Sequence, residues 1–333
     1  MKKVKWGVLG VAKIGVEKVI PAMQRGKYSS VVAIASRSAQ KARAAAKKLG
    51  IPRAYGSYED LLADPDVEAV YNPLPNHLHV PWSIRAARSG KHVLCEKPVA
   101  RSAKEARKLL RAREGAGVLI QEACMVRTHP QWLCAQELLR RKTIGQPRLI
   151  QGCFSYFNRD SRNVRNIATI GGGALLDIGY YPVTASRFFF EEEPLRVLGL
   201  LERDPKFKTD RLTAALLDFP KGQAVFTCST QLVRYQRLEL LGTKGRIEMP
   251  FPFTPPKNHS CRIVLDDGSG VQGKGGEVFV FDPCDQYRTQ GDLFSKAIRD
   301  GTRAPIPLED AVKNMAVIDA IFRSAKSGRW ERV

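Results

Sequence analysis

The stretch VKWGVLGVAKIG (residues 4–15) decides the fold. Val4 to Leu9 is an apolar run of strand length, and it ends in Gly10-Val11-Ala12-Lys13-Ile14-Gly15, a G-x-A-x-x-G series. In such a series the first glycine permits a tight turn. The second small residue lets the backbone approach a pyrophosphate, and the last glycine lets the following helix lie close to the sheet. The unpaired N–H groups opening that helix then face the phosphates. Taken alone the series reads equally well as a structural turn. Following the first strand of an alternating chain, it points to a dinucleotide, with Gly10, Ala12, Lys13 and Ile14 as the cradle.

Over the first 125 residues, apolar runs (SSVVAIAS, VEAVYNP, KHVLCE, VLIQEA) alternate with stretches of helical period such as AQKARAAAKKLG and SAKEARKLLRAREG. Alternation of this kind means parallel strands joined by right-handed crossovers. Beyond residue 125 the pattern changes. The helix-like PQWLCAQELLRRKTIG is followed by long alternating segments, among them RLIQGCFSYFN, RLTAALLDF, QAVFTCSTQLV and RLELLGTKGRIEM, separated by turn signals. These predict a meander of antiparallel strands, closed by two helical segments. The expected organisation is an α/β Rossmann domain with a doubly wound parallel sheet over residues 1–125. An α+β domain with a large, open, mostly antiparallel sheet follows over 126–333, its last helix able to pack back on the first domain. One face of such a sheet is left to pair with a copy of itself, so a homodimer or tetramer is expected.

Composition narrows the class. No apolar run approaches the ~20 residues of a membrane span, and the N-terminal MKKVKWGVLGV lacks the small-residue cleavage site of a signal peptide, so a cytoplasmic protein is expected. The seven cysteines include no C-x-x-C pair and read as reduced, buried side chains with no metal. The net charge of +21 raises nucleic acid as a partner. The basic residues, however, lie on the solvated faces of helix-like stretches and are not interleaved with aromatics, which argues against that partner.

Three further motifs carry chemistry. The second strand ends Ala35-Ser36-Arg37-Ser38, without the acid that usually holds an unphosphorylated ribose. Ser36 can hydrogen-bond a 2′-phosphate and Arg37 can pair with its charge; these residues favour NADP over NAD, against the reading of Arg37 as a plain surface residue. Next, YNPLPNHLHV (71–80) reads as a loop at the carboxyl edge of the sheet, where Pro73, Asn76 and His79 are cofactor candidates. His77 and His79 flank the start of a helix, and a loop histidine is more often a structural hydrogen-bonder than a catalyst. KHVLCEKPVA (91–100) places Glu96 and Lys97 at the end of a strand, before Pro98, a poor design for stability alone. In GGGALLDIGYYPV (171–183), Asp177 and Tyr181 stand four apart, on one face of a helix. A phenol of pKa ~10 is a weak base at neutral pH, and a neighbouring ammonium, for which Lys97 is the candidate, favours the phenolate.

Together WGVLGVAKIG, the NPLPNHLH loop, AARSGKHVLCEKP, EACMVRTHPQ, GGGALLDIGYYPV and AVIDAIFRSAKSG resemble the glucose–fructose oxidoreductase / inositol dehydrogenase (Gfo/Idh/MocA) family over essentially the whole chain. The resemblance implies a Rossmann domain followed by an open-sheet domain. It makes Lys97 the active-site lysine of E-K-P (often followed there by a cis proline), with Asp177 and Tyr181 the family's aspartate and acid/base residue. Tyrosine rather than histidine at 181 is similar to the branch holding NADP-dependent D-xylose dehydrogenase and dimeric dihydrodiol dehydrogenase. Cys124 and Val126 stand where aromatics are common, a departure that bears on the pocket. Arg127, His129, Tyr156, Asn158 and Arg165 are the candidate substrate contacts. The implied activity is oxidation at C1 of a cyclic aldose, D-xylose- or glucose-like, with NADP. The alternatives are NADPH-dependent reduction of a keto-sugar or dicarbonyl, oxidation of a trans-dihydrodiol, and, from another class, a non-catalytic NADP-sensing regulator. An intact Lys97, Asp177 and Tyr181 set argues against the last.

Overall fold

In the computed structural model, which describes residues 2–270 and 276–333, the chain divides into two units: residues 1–125 with 285–312, and residues 126–284 with 313–333. The first is built on β1 (Val4–Leu9), β2 (Ser29–Ala35), β3 (Arg53–Tyr55), β4 (Ala69–Asn72), β5 (His92–Glu96) and β6 (Ile120–Ala123). Among the described residues these form one six-stranded sheet in the order β3-β2-β1-β4-β5-β6, every pair parallel. This is the doubly wound dinucleotide order, with its switch point between β1 and β4. β3 has three half-buried residues, too few to show a period, and no strand is predicted there from sequence.

The crossovers are α1 (Ile20–Gln24), α2 (Ala39–Leu49), α3 (Tyr58–Ala63), α4 (Asn76–Arg88) and α5 (Ala103–Ala116). Serine starts three of them: Ser38, Ser57 and Ser102 each accept a hydrogen bond from a backbone N–H three residues on, satisfying a donor that the first helical turn leaves unpaired. The first crossover is not a plain helix. Gly15–Val19 forms a π-helical turn ahead of α1. Pro21 has no N–H to give the carbonyl four residues back, and the widened turn absorbs that mismatch. The core of this unit gathers Trp6, Val8, Ile20, Met23, Ile34, Tyr71 and Leu94.

The later helix α8, described below, clusters with this first unit because Phe294 lies in the same core, tilted against Trp6 at 5.9 Å, and Trp6 Nε1 donates to Ser295 Oγ at 3.0 Å.

The second unit contains α6 (Pro130–Arg140), β7 (Pro147–Phe157), α7 (Tyr180–Phe190), β8 (Arg196–Arg203), β9 (Asp210–Phe219), β10 (Gly222–Ser229), β11 (Gln231–Gly242), β12 (Arg246–Met249), β13 (Cys261–Asp266) and β14 (Glu277–Phe281). α8 (Gln286–Asp300) then belongs to the first unit, α9 (Leu308–Ser327) is divided between the two, and β15 (Glu331–Arg332) ends the chain. Among the described residues the sheet has nine strands in the order β14-β13-β12-β11-β7-β10-β9-β8-β15.

The expected meander is interrupted once, for β10 and β7 run parallel. Thr230 carries the chain over the end of β7, its carbonyl accepting the N–H of Asn158 at 2.8 Å, so β10 and β11 flank β7 on opposite sides. One face of the sheet is covered by helices: Gly152 of β7 lies under Pro182 of α7, and Gly199 of β8 under Ile321 of α9. On the other, Leu200, Tyr235 and the half-buried Arg237 and Glu239 border an open hollow of about 790 Å³. No helix among the described residues is long and apolar enough to cross a membrane.

Candidate active site

The first unit gathers its candidates along the carboxyl ends of its strands. Gly10 holds φ +94°, a conformation L side chains rarely adopt, and a Cβ there would stand 2.9 Å from Leu74 Cδ2. Ala12, Lys13 and Ile14 complete the turn, and Pro73 lies beside Gly15, its Cγ 3.7 Å from where a Cβ would be. At the end of β2 the Ser36 hydroxyl accepts the N–H of Ser38 at 3.3 Å, and the Arg37 charge pulls the pKa of the Tyr58 phenol down against the larger effect of burial. His77, which with His79 lies at the start of α4, adds a further feature. Burial and the charges of Arg101 and Arg37 push its pKa down, and among the described residues its Nδ1 is buried without a hydrogen-bond partner. A glycine cradle at β1, no carboxylate in the Ala35-Ser36-Arg37-Ser38 run after β2, and an orphaned ring nitrogen in the positive field of Arg37 and Arg101 fit a dinucleotide bearing an additional phosphate.

The turn after β5 is pinned from several directions. The Lys97–Pro98 bond is cis. The N–H of Val99 donates to Glu122 Oε1 at 2.7 Å, from a β6 carboxylate that is itself buried. His79 is 1 % exposed, its Nδ1 2.7 Å from the Pro98 carbonyl and its Nε2 2.5 Å from that of Leu74. Burial drives its pKa down to about 4, against the upward pull of the two carbonyls. With both nitrogens directed at backbone, His79 braces this turn, and the hydrogen-bonding alternative for a loop histidine is the one observed. Glu96 is tied to β4, for Tyr71 donates to its Oε1 at 2.6 Å. Burial and the Glu96 charge hold the Tyr71 phenol well above its ordinary pKa, which keeps it a donor. Asn76 opens α4.

In the second unit three predicted residues come together. Asp177 Oδ2 accepts from the Tyr156 phenol at 2.5 Å and from Arg165 Nε at 2.7 Å. The Asp177 side chain is 12 % exposed and that of Arg165 44 %. The Asp177 charge raises the Arg165 pKa, so the guanidinium is a fixed cation. Burial, then the charge of the same carboxylate, raises the pKa of the Tyr156 phenol, which keeps it a hydrogen-bond donor to Asp177.

Asp177 and Tyr181 are not stacked on a regular helix face as their spacing predicts. Leu175–Gly179 is a π-helical turn, and α7 begins at Tyr180. Pro182 lacks the N–H that would reach Ile178, and the helix widens one turn earlier, as it does ahead of Pro21. Tyr181 is 4 % exposed, with its ring held among Tyr180 at 5.4 Å, Phe253 at 5.6 Å and Phe154 at 5.7 Å.

The remaining candidates take supporting positions. His129 Nδ1 accepts the N–H of Gln131 and caps α6; burial lowers its pKa to about 4. Arg127 lies over the Phe188 ring at 5.0 Å. Asn158 braces its own loop, its Oδ1 accepting from Asp160 N and Asn166 Nδ2. Cys124 and Val126 are both buried. Among the described residues, no group of three His, Cys, Asp or Glu side chains is placed to hold a metal ion.

Two family models match the chain: an oxidoreductase family, NAD-binding Rossmann fold, over residues 4–124, and the GFO/IDH/MocA C-terminal domain over residues 132–248. The chain belongs to the Gfo/Idh/MocA oxidoreductase family. Within that family, an uncharacterized oxidoreductase of Rhizobium meliloti is 50% identical, with all of both chains covered. A D-xylose 1-dehydrogenase (NADP+) of Haloferax volcanii is 37% identical over 97% of this chain and 98% of its own. Among solved structures, a 3-ketoreductase from Actinomadura kijaniata in complex with NADP and TDP-benzene superposes with a TM-score of 0.91 at 30% identity, covering 97% of this chain and 98% of that one. This Gfo/Idh/MocA protein is therefore a nicotinamide-dependent dehydrogenase or reductase whose cofactor is NADP.

Proposed function

We propose that the protein oxidises the anomeric carbon of a cyclic aldose of the D-xylose type, forming the lactone. The observation that carries the proposal is the Tyr156–Asp177–Arg165 cluster next to the helix bearing Tyr181. It offers a fixed cation, Arg165, and a carboxylate held in place, Asp177, for sugar hydroxyls, and Tyr181 on that helix is the phenol assigned to proton transfer. The 37% identity to a D-xylose dehydrogenase supports the same substrate class.

In this mechanism Tyr181 takes the proton of the C1 hydroxyl as the C1–H bond breaks and the C1=O bond forms. NADP, when bound, supplies the acceptor for the hydride. Lys97, at the end of β5, is the catalytic lysine of this reading. Asp177, fixed by Arg165 and Tyr156, orients the sugar; Arg127, His129 and Asn158 shape the surrounding pocket. Ser36 and Arg37 take the 2′-phosphate, with Gly10, Ala12, Lys13, Ile14, Pro73, Asn76, His79 and Glu96 forming or bracing the rest of the cofactor site. General acid–base help of this kind contributes roughly 10²–10⁴-fold.

Support for the lysine and tyrosine comes from the ketoreductase. It has been solved with one tyrosine replaced by phenylalanine and with one lysine replaced by alanine. Those positions stand as far apart in its chain as Lys97 and Tyr181 do here. The same relative favours a second reading, reduction of a keto-sugar with NADPH. The two are separated by steady-state rates of NADP reduction across aldoses, set against NADPH oxidation with keto-sugars, dicarbonyls and dihydrodiols. Faster turnover of aldoses supports the first reading, and exclusive turnover of ketones would replace it. We also propose that the open face of the sheet, with Leu200 and Tyr235 exposed, pairs with a second copy. Light scattering of the purified chain tests this, and a monomer at micromolar concentration would refute it.

A further inference from the structure

Asp210, the first residue of β9, lies in none of the motifs and is 2 % exposed. Its Oδ2 accepts the backbone N–H of Leu175 at 2.6 Å and the Thr213 hydroxyl at 3.2 Å. Its Oδ1 occupies the space beside Gly173, where a Cβ would stand only 1.9 Å away, and Gly173 itself has φ +127°. The third glycine of GGGALLD is thus required both by its backbone conformation and by the carboxylate pressed against it. The carboxylate sits at the opening of the continuous helical segment from Leu175 to Phe190, where the first N–H groups lack helical partners and favour negative charge.

The connection onward is short. Asp177 N donates to the Gly173 carbonyl at 3.1 Å, and Gly173 N donates to the Arg165 carbonyl at 2.9 Å. Arg165 in turn holds the Asp177 carboxylate. Gly173, Arg165 and Asp177 therefore form one hydrogen-bonded loop, and Asp210 ties it to the sheet through the Leu175 N–H, with its other oxygen packed against Gly173.

We propose that Asp210 is a positioning residue of the catalytic set, fixing the π-helical turn that carries Asp177 and leads into Tyr181. The proposal rests on the roles given above to Asp177 and Tyr181. Burial pushes the Asp210 carboxyl up to about 6, against the Leu175 N–H, the Thr213 hydroxyl and the charge of Arg203 on β8, which pull it down; Cys228 of β10 is the other titratable neighbour. A buried carboxylate with a raised pKa costs folding stability at neutral pH.

The test uses Asp210→Ala, which removes the acceptor, and Asp210→Asn, which keeps the shape and one acceptor. In Asp210→Ala, amide exchange over residues 174–181 should accelerate while the rest of the sheet unit exchanges as in the wild type. With NADP and D-xylose, kcat should fall by about 10²-fold, the effect of a misplacement on the order of 1 Å, with NADP affinity unchanged. Asp210→Asn should melt at or above the wild-type temperature at pH 8 and show an intermediate kcat. Wild-type exchange and turnover in both variants would overturn the proposal. So would accelerated exchange spread over the whole sheet unit with kcat per folded molecule unchanged, the mark of a structural role alone. If the wild-type protein oxidises no aldose, the sugar reading falls on that result, and the exchange measurement still decides whether Asp210 fixes the turn.

Discussion

In the nucleotide-binding unit the candidate residues follow strand ends in chain order: Gly10 after β1, Ser36 and Arg37 after β2, Asn76 after β4 and Lys97 after β5. In the sheet unit, by contrast, Asp177 is fixed by Tyr156 from β7 and by Arg165 from a loop, above an Asp210 contributed by β9. The first arrangement is local. Each residue is placed by the few residues beside it, so its chemistry travels with its motif. The second is assembled across long sequence separations, and a change at any one strand reshapes the whole. This difference suits a common cofactor on one unit and a substrate preference free to vary on the other.

The comparison can be broken at several points. Tyr181→Phe should have the largest effect, lowering kcat by roughly 10²–10⁴-fold with NADP affinity retained; kcat near that of the wild type would remove the proposed base. Arg37→Ala should weaken NADP by about 1.5–3 kcal/mol, the worth of a hydrogen bond to a charged group, while leaving NAD binding unchanged. Fluorescence titration with both cofactors checks this, and an equal loss for both would show that Arg37 does not read the 2′-phosphate. Tyr156→Phe deletes one bond to Asp177 and should cost about 1 kcal/mol in kcat/KM, an effect confined to the sugar side and absent from the KM for NADP.

The smallest effect concerns stability. Burial holds His129 down to about 4 from its ordinary 6.5, so between those values the unfolded chain binds the proton first and stability falls as the pH is lowered. His129→Asn, which can still cap α6, should flatten that decline. Asp210 acts in the opposite sense between about 6 and 3.8, where the folded state holds the extra proton. Its replacement by asparagine should therefore steepen the same curve. Thermal melts at a series of pH values measure both slopes.

The contrast between the units also sets how much the sequence discloses. The Rossmann strands, the glycine turn, Arg37 without an acid beside it, and the E-K-P strand end are legible because each depends on neighbours within a few residues. The association of Tyr156, Asp177 and Arg165 is only half legible: each residue was a candidate, and nothing local shows that they bond to one another. Asp210 was not legible. A single acid opening TDRLTAALLDF looks like any strand terminus, and only the folded chain brings it against Gly173. The bracing bonds of His79 are not legible, because its partners, the carbonyls of Leu74 and Pro98, are backbone atoms with no signature in side-chain pattern. The π-turns had one available signal, the prolines at 21 and 182, whose missing N–H groups disturb the turn preceding them.

The central claim, hydride transfer from an aldose C1 with Tyr181 as base, is tested most directly by following the label from D-xylose deuterated at C1. The account predicts that wild-type protein transfers deuterium to the nicotinamide, giving reduced cofactor one mass unit heavier, and that Tyr181→Phe makes the same product at a severely reduced rate. Unlabelled NADPH from the labelled sugar, or undiminished transfer in Tyr181→Phe, would contradict it.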